Sequence, residues 1–324
     1  MKKIIGIGSA LVDILTRIDN DEVLKEINIP KGSMQLVDEK SSASIGDRLG
    51  KYESVMAPGG SAANTIHALA KLGVEAGFIS YVGKDEIGKF FEESMSSVGV
   101  KPMMFHSDTA SGTARTIISP DGERTFATNL GASLELNESV INAETFVDWD
   151  YCYVEGYLIA NKNLFKKTIL TAKDSDCKVI LDLASYNVVE DNRDFLNELL
   201  PYIDIVFANE EEAKALTNTS AEESLHYIAD RAEIAVVKIG KKGSLIKRGD
   251  ETVQIGCNKV EVIDTTGAGD MYAAGFLYGL INDYDLEKCG TIGNLLAESI
   301  IQVIGAKMDE NRWKMFKKSI GLFN

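Results

Sequence analysis

The segment Asp264-Thr265-Thr266-Gly267-Ala268-Gly269-Asp270 carries the strongest structural signal in this sequence. Its two glycines alternate with small residues, so the backbone can open into a turn and leave its amides accessible. The next residues, Met271-Tyr272-Ala273-Ala274-Gly275-Phe276, have the spacing and the small side chains of a packed helix. We therefore expect a loop that ends at a helix N-terminus.

A helix that starts in this loop would attract an anion. The free amides of the first turn and the helix dipole both favour negative charge, and phosphate oxygens are frequent ligands of such sites. Asp270 would lie beside the anion, where a carboxylate can accept the proton of an attacking hydroxyl. A plain glycine-rich loop with a capping aspartate is the alternative. The combination of two glycines, an immediate aspartate and a helix of small residues favours a functional site.

A second motif, Pro58-Gly59-Gly60-Ser61-Ala62-Ala63-Asn64, also leads into a helical pattern. Paired glycines allow the backbone to approach a ligand closely. The amide of Asn64 offers both a donor and an acceptor to the hydroxyls of a sugar. Such a Gly-Gly-Ser sequence is also common as an ordinary helix cap, so this motif alone is only moderately specific.

Composition excludes several classes of function. The chain has 324 residues, is 45% hydrophobic and carries a formal net charge of -15, which fits one large domain or two of moderate size. An acidic surface repels nucleic acid and anionic membranes, so neither is an expected partner. The apolar runs are shorter than the roughly 20 residues that a spanning helix needs. The four cysteines form no CxxC pair, which predicts reduced thiols and a cytoplasmic location.

Short β-rich runs alternate with helical patterns along most of the chain, which predicts an α/β fold with a parallel sheet covered on both faces. The predicted strands are Lys3–Gly8, Gly77–Gly83, Tyr151–Glu155, Lys178–Ala184, Ile203–Ala208 and Glu233–Gly240. Two segments, at about 13–56 and 104–130, interrupt the alternation. The second reads as a hairpin around Asp121-Gly122. We expect both segments to form a small β lid outside the main sheet.

Together the two motifs resemble the signatures of the ribokinase (PfkB) family of carbohydrate and nucleoside kinases. The order agrees, and Asn209-Glu210-Glu211-Glu212 between them resembles the Asn-x-x-Glu element of the family. The resemblance covers nearly the whole chain. It implies a single ribokinase-like domain over residues 1–324, with three α/β/α layers, a mainly parallel central sheet and a small β lid. It also implies an ATP-dependent kinase that acts on a hydroxyl of a sugar or nucleoside.

The resemblance assigns the chemistry to the late motif and to one lid residue. By that similarity, Asp270 is the base, and Arg124 approaches the transferred phosphate. The amides that form the anion hole are those of Gly267, Ala268 and Gly269.

The family also implies binding residues for the two substrates and for cations. The sugar of the acceptor would contact Asp13, Gly59, Gly60 and Asn64. The nucleotide would lie by Asn209, Glu212, Gly240, Thr266 and Asn294. Glu212 would hold Mg²⁺ through water, and Asp264 resembles part of a monovalent-cation site. The implied cofactors are therefore ATP and Mg²⁺, with K⁺ as a further candidate.

The lid segments look most like those of adenosine kinases, which implies the 5′-hydroxyl of a nucleoside as acceptor. By that match, the acceptor pocket is lined by Met34, Leu36, Phe126 and Leu130. Tyr157, in a Gly-aromatic pair, would stack on the base. Plain core packing is the alternative for Phe126 and Tyr157.

Two further functions stay open. Ser9 and Glu155 depart from the adenosine-kinase pattern, and an acid at Glu155 resembles ribokinases, so a free-sugar kinase is the first alternative. A non-catalytic binding protein on the same scaffold is the second, and an intact Asp270 argues against it. The family is compatible with a monomer or with a homodimer formed through the lid.

Overall fold

Two β-sheets of unequal size organise the chain in the computed structural model, which describes residues 2–322. The larger sheet has nine strands in the order β14-β13-β12-β11-β10-β9-β1-β5-β6. These strands are β1 (Ile4–Ile7), β5 (Ala76–Gly83), β6 (Val100–Ser107), β9 (Tyr151–Glu155), β10 (Lys178–Asp182), β11 (Ile205–Asn209), β12 (Ile234–Lys238), β13 (Ser244–Arg248) and β14 (Glu251–Ile255). The strands from β12 to β6 are parallel, while β13 and β14 form an antiparallel hairpin at one edge.

Helices cover both faces of this sheet because successive strand side chains point to opposite faces and both sets are apolar. Ile4 packs into one core cluster, and its neighbour Ile5 packs into the other. The first face is covered by α3 (Ser61–Lys71), α4 (Glu86–Ser97), α10 (Ala268–Ile281), α11 (Leu286–Ile300) and α12 (Glu310–Ser319). The second is covered by α5 (Lys162–Asp174), α6 (Tyr186–Asp191), α7 (Arg193–Leu199), α8 (Glu210–Thr217) and α9 (Ala221–Ala229). The predicted α/β class with a mainly parallel central sheet is confirmed.

The smaller sheet is the lid. It has five strands in the order β3-β8-β7-β2-β4. They are β2 (Leu11–Arg17), β3 (Met34–Leu36), β4 (Ser54–Gly59), β7 (Gly112–Ile118) and β8 (Arg124–Asn129). Two helices, α1 (Glu22–Glu26) and α2 (Glu39–Leu49), bury their apolar faces against it. The predicted hairpin is present, and its turn places Gly122 at a φ of 88°, in the left-handed region that favours glycine.

The second lid segment begins later than the sequence suggested. Residues 104–107 belong to β6 of the large sheet, where Phe105 pairs with Tyr81 of β5, so the lid resumes only at Gly112. Strand β6 was not predicted, because Pro102 interrupts its pattern. Proline is tolerated here because β6 is an edge strand. The first segment extends slightly beyond its predicted bounds, from Leu11 to Gly59.

Helices α3 and α10 pack against each other, and α10 also packs closely on α11. These packings bring the N-termini of α3 and α10 to the same end of the large sheet. Within residues 2–322, no helix combines the length and apolarity that crossing a bilayer requires.

The close approach of α10 and α11 depends on Gly275. A β-carbon at this position would lie 2.7 Å from the carbonyl oxygen of Ile292 and 2.9 Å from the α-carbon of Gly293, so both obstacles are backbone atoms. We expect Gly275→Val to lower the free energy of unfolding by about 1–3 kcal/mol or more, because the backbone of α11 cannot easily move away from the added side chain. Chemical denaturation followed by circular dichroism measures the change. Gly256→Val is the control, since a β-carbon there meets nothing within 4 Å. Equal stability of the two variants would contradict the packing role.

Candidate active site

The N-termini of α3 and α10 meet at the carboxylate of Asp270. The hydroxyl of Ser61 donates to its Oδ1 at 2.7 Å, and Nδ2 of Asn64 donates to its Oδ2 at 2.9 Å. Gly60 precedes α3 with a φ of 94°, and a β-carbon there would lie 2.2 Å from the carbonyl oxygen of Ser9. Only glycine fits this turn, which lets α3 begin directly against the end of β1. The two motifs singled out in the sequence are therefore joined in space.

The surroundings of Asp270 adapt it to accept a proton near neutral pH. Burial raises its pKa to about 6, while the hydrogen bonds from Ser61 and Asn64 oppose the rise. The nearby carboxylate of Asp182 raises the pKa further, and the ammonium of Lys238 lowers it. A carboxylate with a pKa just below the working pH is ionised and still basic enough to take a proton from a hydroxyl.

The loop before α10 turns sharply at Gly267, whose φ is 76°. A β-carbon at Gly267 would lie 2.8 Å from the β-carbon of Ala306, so this turn packs against the 305–307 segment. The first helical bond of the turn runs from the Met271 amide to the Gly267 carbonyl at 2.9 Å. The amides of residues 269 and 270 precede that bond and lie at the positive end of the helix. The Ala268 amide donates to the carbonyl of Thr265 at 3.1 Å, so it must exchange that partner to bind an anion.

A cavity of about 740 Å³ opens beside this loop, and its size suits a nucleotide. The predicted site residues in its lining are Asn209, Glu212, Gly240, Gly267, Ala268, Gly269, Asp270 and Asn294. Thr266 is not among the lining residues; its hydroxyl instead donates to Asp264, and Thr265 takes the place in the cavity wall. Asn294 is buried and donates to the carbonyl of Gly256 at 3.0 Å, which ties α11 to the loop on the other side.

Five charged residues of the cavity lining were missed in the sequence: Asp182, Lys238, Lys241, Lys259 and Glu298. Lys238 and Asp182 end the strands β12 and β10, and their side chains form an ion pair at 3.2 Å. Burial disfavours the charged form of Lys238, but Asp182 and Glu212 outweigh that effect and raise its pKa. Charged residues that follow apolar runs at the carboxyl ends of parallel strands are the signal that could have identified Lys238 and Asp182.

Asn209 and Glu212 form a reciprocal cap at the start of α8. The side chain of Asn209 accepts from the Glu212 amide at 2.8 Å, and both Glu212 oxygens accept from Asn209, at 2.7 Å and 2.6 Å. Burial raises the pKa of Glu212 to about 7, with a lowering effect from Lys238. Because both oxygens already have donors, Glu212 is better placed to hold a water than to bind a metal directly.

Two more carboxylates lie on the lid side of Asp270: Glu155, which is buried, and Asp13, which is partly buried. Gly59 makes room for Asp13, since a β-carbon there would lie 2.5 Å from Oδ1 of Asp13. Burial raises the pKa of Asp13 to about 6, Lys307 lowers it, and Asp270 raises it. Glu155 accepts from the Ala62 amide at 3.1 Å, and burial raises its pKa to about 7.

The predicted lid contacts lie outside the lining of the nucleotide-sized cavity. Met34 and Leu36 are exposed on the edge strand β3, at 67% and 68% of their full area, and Met34 pairs with Phe126 of β8. Leu130 is half-buried just after β8. Tyr157 is 47% exposed, and its hydroxyl donates at 3.5 Å to the carbonyl of Ala184, which lines the cavity. Burial is the main cause that raises its pKa.

Arg124 and Asp264, to which the sequence assigned separate roles, are in direct contact. The guanidinium of Arg124 forms an ion pair with Oδ1 of Asp264 and so joins the lid to the loop before α10. The same carboxylate accepts from the Thr266 amide at 3.0 Å and from the Gly305 amide at 2.6 Å. Burial would raise the pKa of Asp264, but these hydrogen bonds outweigh it and hold the pKa below its usual value. Oδ2 has an acceptor position left, but a cation there would lie beside the Arg124 guanidinium.

Within residues 2–322, no group of three histidine, cysteine, aspartate or glutamate side chains converges on a possible metal position. All four cysteines are unpaired, and three of them are buried. The site therefore offers amides, single carboxylates and ammonium groups rather than a preformed metal cage.

The chain is similar to known carbohydrate and nucleoside kinases. The model of the pfkB family carbohydrate kinases matches residues 41–312. A nucleoside kinase of Methanocaldococcus jannaschii is 30% identical over 261 residues, which cover 79% of this chain and 82% of that protein.

Two solved structures are similar over their whole length. The adenosine kinase from Sinorhizobium meliloti is 32% identical, has a TM-score of 0.85, and the match covers 98% of this chain and 99% of that one. A probable sugar kinase from Rhizobium etli is also 32% identical, with a TM-score of 0.86 and a match that covers 99% of both chains. The likeness extends over both sheets and so includes the lid.

Proposed function

Since the chain belongs to the pfkB family of carbohydrate kinases, we propose that it transfers the γ-phosphate of ATP to the 5′-hydroxyl of a nucleoside. The chain is an ATP-dependent sugar or nucleoside kinase, as its relatives and structural neighbours are. The choice of a nucleoside rests on one observation, the likeness to the Sinorhizobium meliloti adenosine kinase over 98% of this chain, lid included.

In the proposed mechanism, the acceptor lies between the lid and the N-terminus of α3. Asp13 and Asn64 orient its hydroxyls, and Asp270 takes the proton of the hydroxyl that attacks. The amides of residues 267–269 stabilise the negative charge that develops on the transferred phosphoryl group. In-line transfer needs mainly positioning and charge neutralisation, both of which these residues supply.

The triphosphate would extend along the 740 Å³ cavity toward α8. Lys238 is the cation best placed for its phosphates, since the ammonium lies close to the α10 N-terminus; a β-carbon at Gly269 would be 3.2 Å from its Nζ. When bound, Mg²⁺ neutralises phosphate charge. Glu212 would hold it through water, because the Glu212 oxygens already accept from Asn209.

A free-sugar kinase is the second candidate, and Glu155 favours it. This buried carboxylate touches the start of α3 on the acceptor side, where it could accept a hydrogen bond from a sugar hydroxyl. The similarity to the probable sugar kinase from Rhizobium etli is of the same order as that to the adenosine kinase. The cytoplasmic location and the monomer or lid-mediated dimer stay predictions.

A panel of acceptors separates the two candidates. ATP consumption is measured with purine and pyrimidine nucleosides, pentoses, hexoses and sugar phosphates, and each product is identified by mass spectrometry. Turnover of a nucleoside with phosphate on its 5′-oxygen supports the proposal. Turnover of a free sugar without any nucleoside would replace it with the second candidate.

Replacing the base tests the mechanism. We expect Asp270→Asn to lower kcat by about 100- to 10,000-fold, because an amide cannot accept the proton. ATP affinity, measured by calorimetry, should stay nearly unchanged. In the wild type, kcat should fall as the pH drops below about 6, where Asp270 becomes protonated. Asp230→Asn, on the exposed end of α9, is the control. A near-normal kcat in Asp270→Asn would remove this residue from the role of base.

We also propose that K⁺ and the Arg124 guanidinium compete for Asp264. The carboxylate fits a monovalent cation only where Arg124 withdraws, since the two positive charges would otherwise lie side by side. Arg124→Gln should therefore lower the K⁺ concentration for half-maximal rate, even if kcat itself falls. The rate is measured against KCl at constant ionic strength, with Arg17→Gln as an exposed control. A rate that does not depend on the K⁺ concentration, either in the wild type or in Arg124→Gln, would exclude a monovalent-cation site.

A further inference from the structure

Lys307 has a buried ammonium group without a hydrogen-bond partner. Its Nζ is shielded from solvent and makes no hydrogen bond to any described residue. A lysine ammonium carries three donors and no acceptor, so all three N–H groups are unsatisfied. Such a group costs stability, so its presence calls for an explanation such as a catalytic or binding role, an ion or an ordered water.

The position of Lys307 in the fold places this ammonium on the acceptor side of the site. It follows Ala306, which packs beneath the turn at Gly267. The preceding Gly305 lies against β2, where a β-carbon on it would be 3.5 Å from the Leu15 side chain. Leu15 is two residues from Asp13 on that strand and so lies on the same face. The 305–307 segment therefore connects the anion loop with the strand that carries Asp13.

The charges around Lys307 come from three elements. Asp13 on β2 and Asp270 on α10 both interact electrostatically with its ammonium. His67 on α3 is in turn affected by the positive charge of Lys307. Burial lowers the pKa of Lys307 to about 8, while the two carboxylates raise it. Burial first, and then Lys307 and Lys71, lower the pKa of His67 to about 2, so the imidazole is neutral. Lys71 is itself paired with Glu310 at 2.5 Å.

Neither carboxylate is within hydrogen-bond distance of the Lys307 ammonium, although both act on it electrostatically. A hydroxyl could join an ammonium donor to carboxylates that act on it only electrostatically. A hydroxyl donates one hydrogen bond and accepts two, whereas an ionised aspartate only accepts and a lysine only donates. Asn64, which donates to Asp270, also has a buried Oδ1 without a partner.

We propose that Lys307 binds the acceptor by donating to an oxygen of the hydroxyl pair whose protons Asp13 accepts. This inference rests on the proposed kinase function and specifies its substrate class. The acceptor would be a sugar or nucleoside with two adjacent hydroxyls, and a deoxy compound that lacks one of them would bind poorly. Lys307 contacts the substrate away from the reacting oxygen, so it determines specificity rather than the proton transfer.

Replacement of the ammonium by an apolar group of similar length tests this role. With an acceptor identified by the panel, Lys307→Met should raise the KM for that acceptor by about 10- to 100-fold, as expected for the loss of a charged hydrogen bond. The KM for ATP should change by less than about twofold, because Lys307 does not contact ATP in this proposal. Lys314→Met, on the exposed face of α12, is the matched control. Thermal unfolding of both variants verifies the fold.

A deoxy analogue and a pH series distinguish substrate binding from a structural effect. In the wild type, removing one of the adjacent hydroxyls should raise KM strongly, whereas in Lys307→Met the same removal should cost much less. The wild-type KM should also rise above about pH 8, where Lys307 loses its proton. Lys307→Met should lack this rise, and Lys307→Arg should remove it because arginine stays charged.

Three results would overturn the inference. An unchanged acceptor KM in Lys307→Met would exclude Lys307 from acceptor binding while the kinase proposal stands. A rise in the KM for ATP alone would assign the ammonium to the phosphates instead. Absence of turnover by the wild type across the whole panel would overturn the proposed function together with this inference.

Discussion

The contact between the first turns of α3 and α10 is the constraint on which the site depends. Ser61 and Asn64 on one helix hold both oxygens of Asp270 on the other. This contact forms only because each helix begins abruptly: Gly60 and Gly267 both adopt positive φ angles that other residues rarely take. Each turn also faces neighbouring atoms that a side chain would displace. The two glycines therefore allow the turns that start α3 and α10. Those turns position the amides and Asp270.

The site concentrates negative charge in a protein that is already acidic. Asp13, Glu155, Glu212 and Asp270 are all held with raised pKa values, and burial is the leading cause for each. A polyanionic nucleotide would be repelled by such a set unless local cations and oriented amides compensated. Lys238 supplies one of these cations inside the cavity, and the N-terminus of α10 supplies the amides. Counter-charge from a bound metal ion is therefore consistent with the physical requirements of the proposed reaction.

The lid is joined to the rest of the chain by polar contacts and by an apolar interface, since Val12 and Ile14 of β2 belong to the same core cluster as side chains of α3 and α10. Arg124 reaches from β8 to Asp264, and Asp13 of β2 lies near enough to Asp270 for that carboxylate to raise its pKa. By contrast, Met34 and Leu36 remain exposed on the edge strand β3. An apolar acceptor group that packed against these side chains would remove exposed hydrophobic area from water. The lid can therefore couple acceptor binding to the loop before α10 through few residues.

The sequence by itself determined the class of fold and the reaction. Apolar runs such as Ile234–Val237 predicted strands buried on both faces, and the Gly-Ala-Gly-Asp segment predicted a helix N-terminus with a carboxylate. These are local properties, because periodicity and glycine content act over a few residues. They could not show that Lys238 pairs with Asp182, since strand order decides which residues meet at the end of a sheet.

Other features depended on tertiary packing in the same way. Strand β6 was missed because pairing with β5, and not its own pattern, makes it a strand. The nucleotide-binding role of Thr266 stays a prediction, but only the fold shows that its hydroxyl donates to Asp264. Lys307 lies in none of the motifs recognised in the sequence. Its importance arises from burial beside Asp13 and Asp270, which lie hundreds of residues apart in the chain and meet only when both sheets have formed. Local turns and helix starts follow from the order of the residues. The charge environment and the burial of the site residues are set by contacts between segments that are distant in the chain.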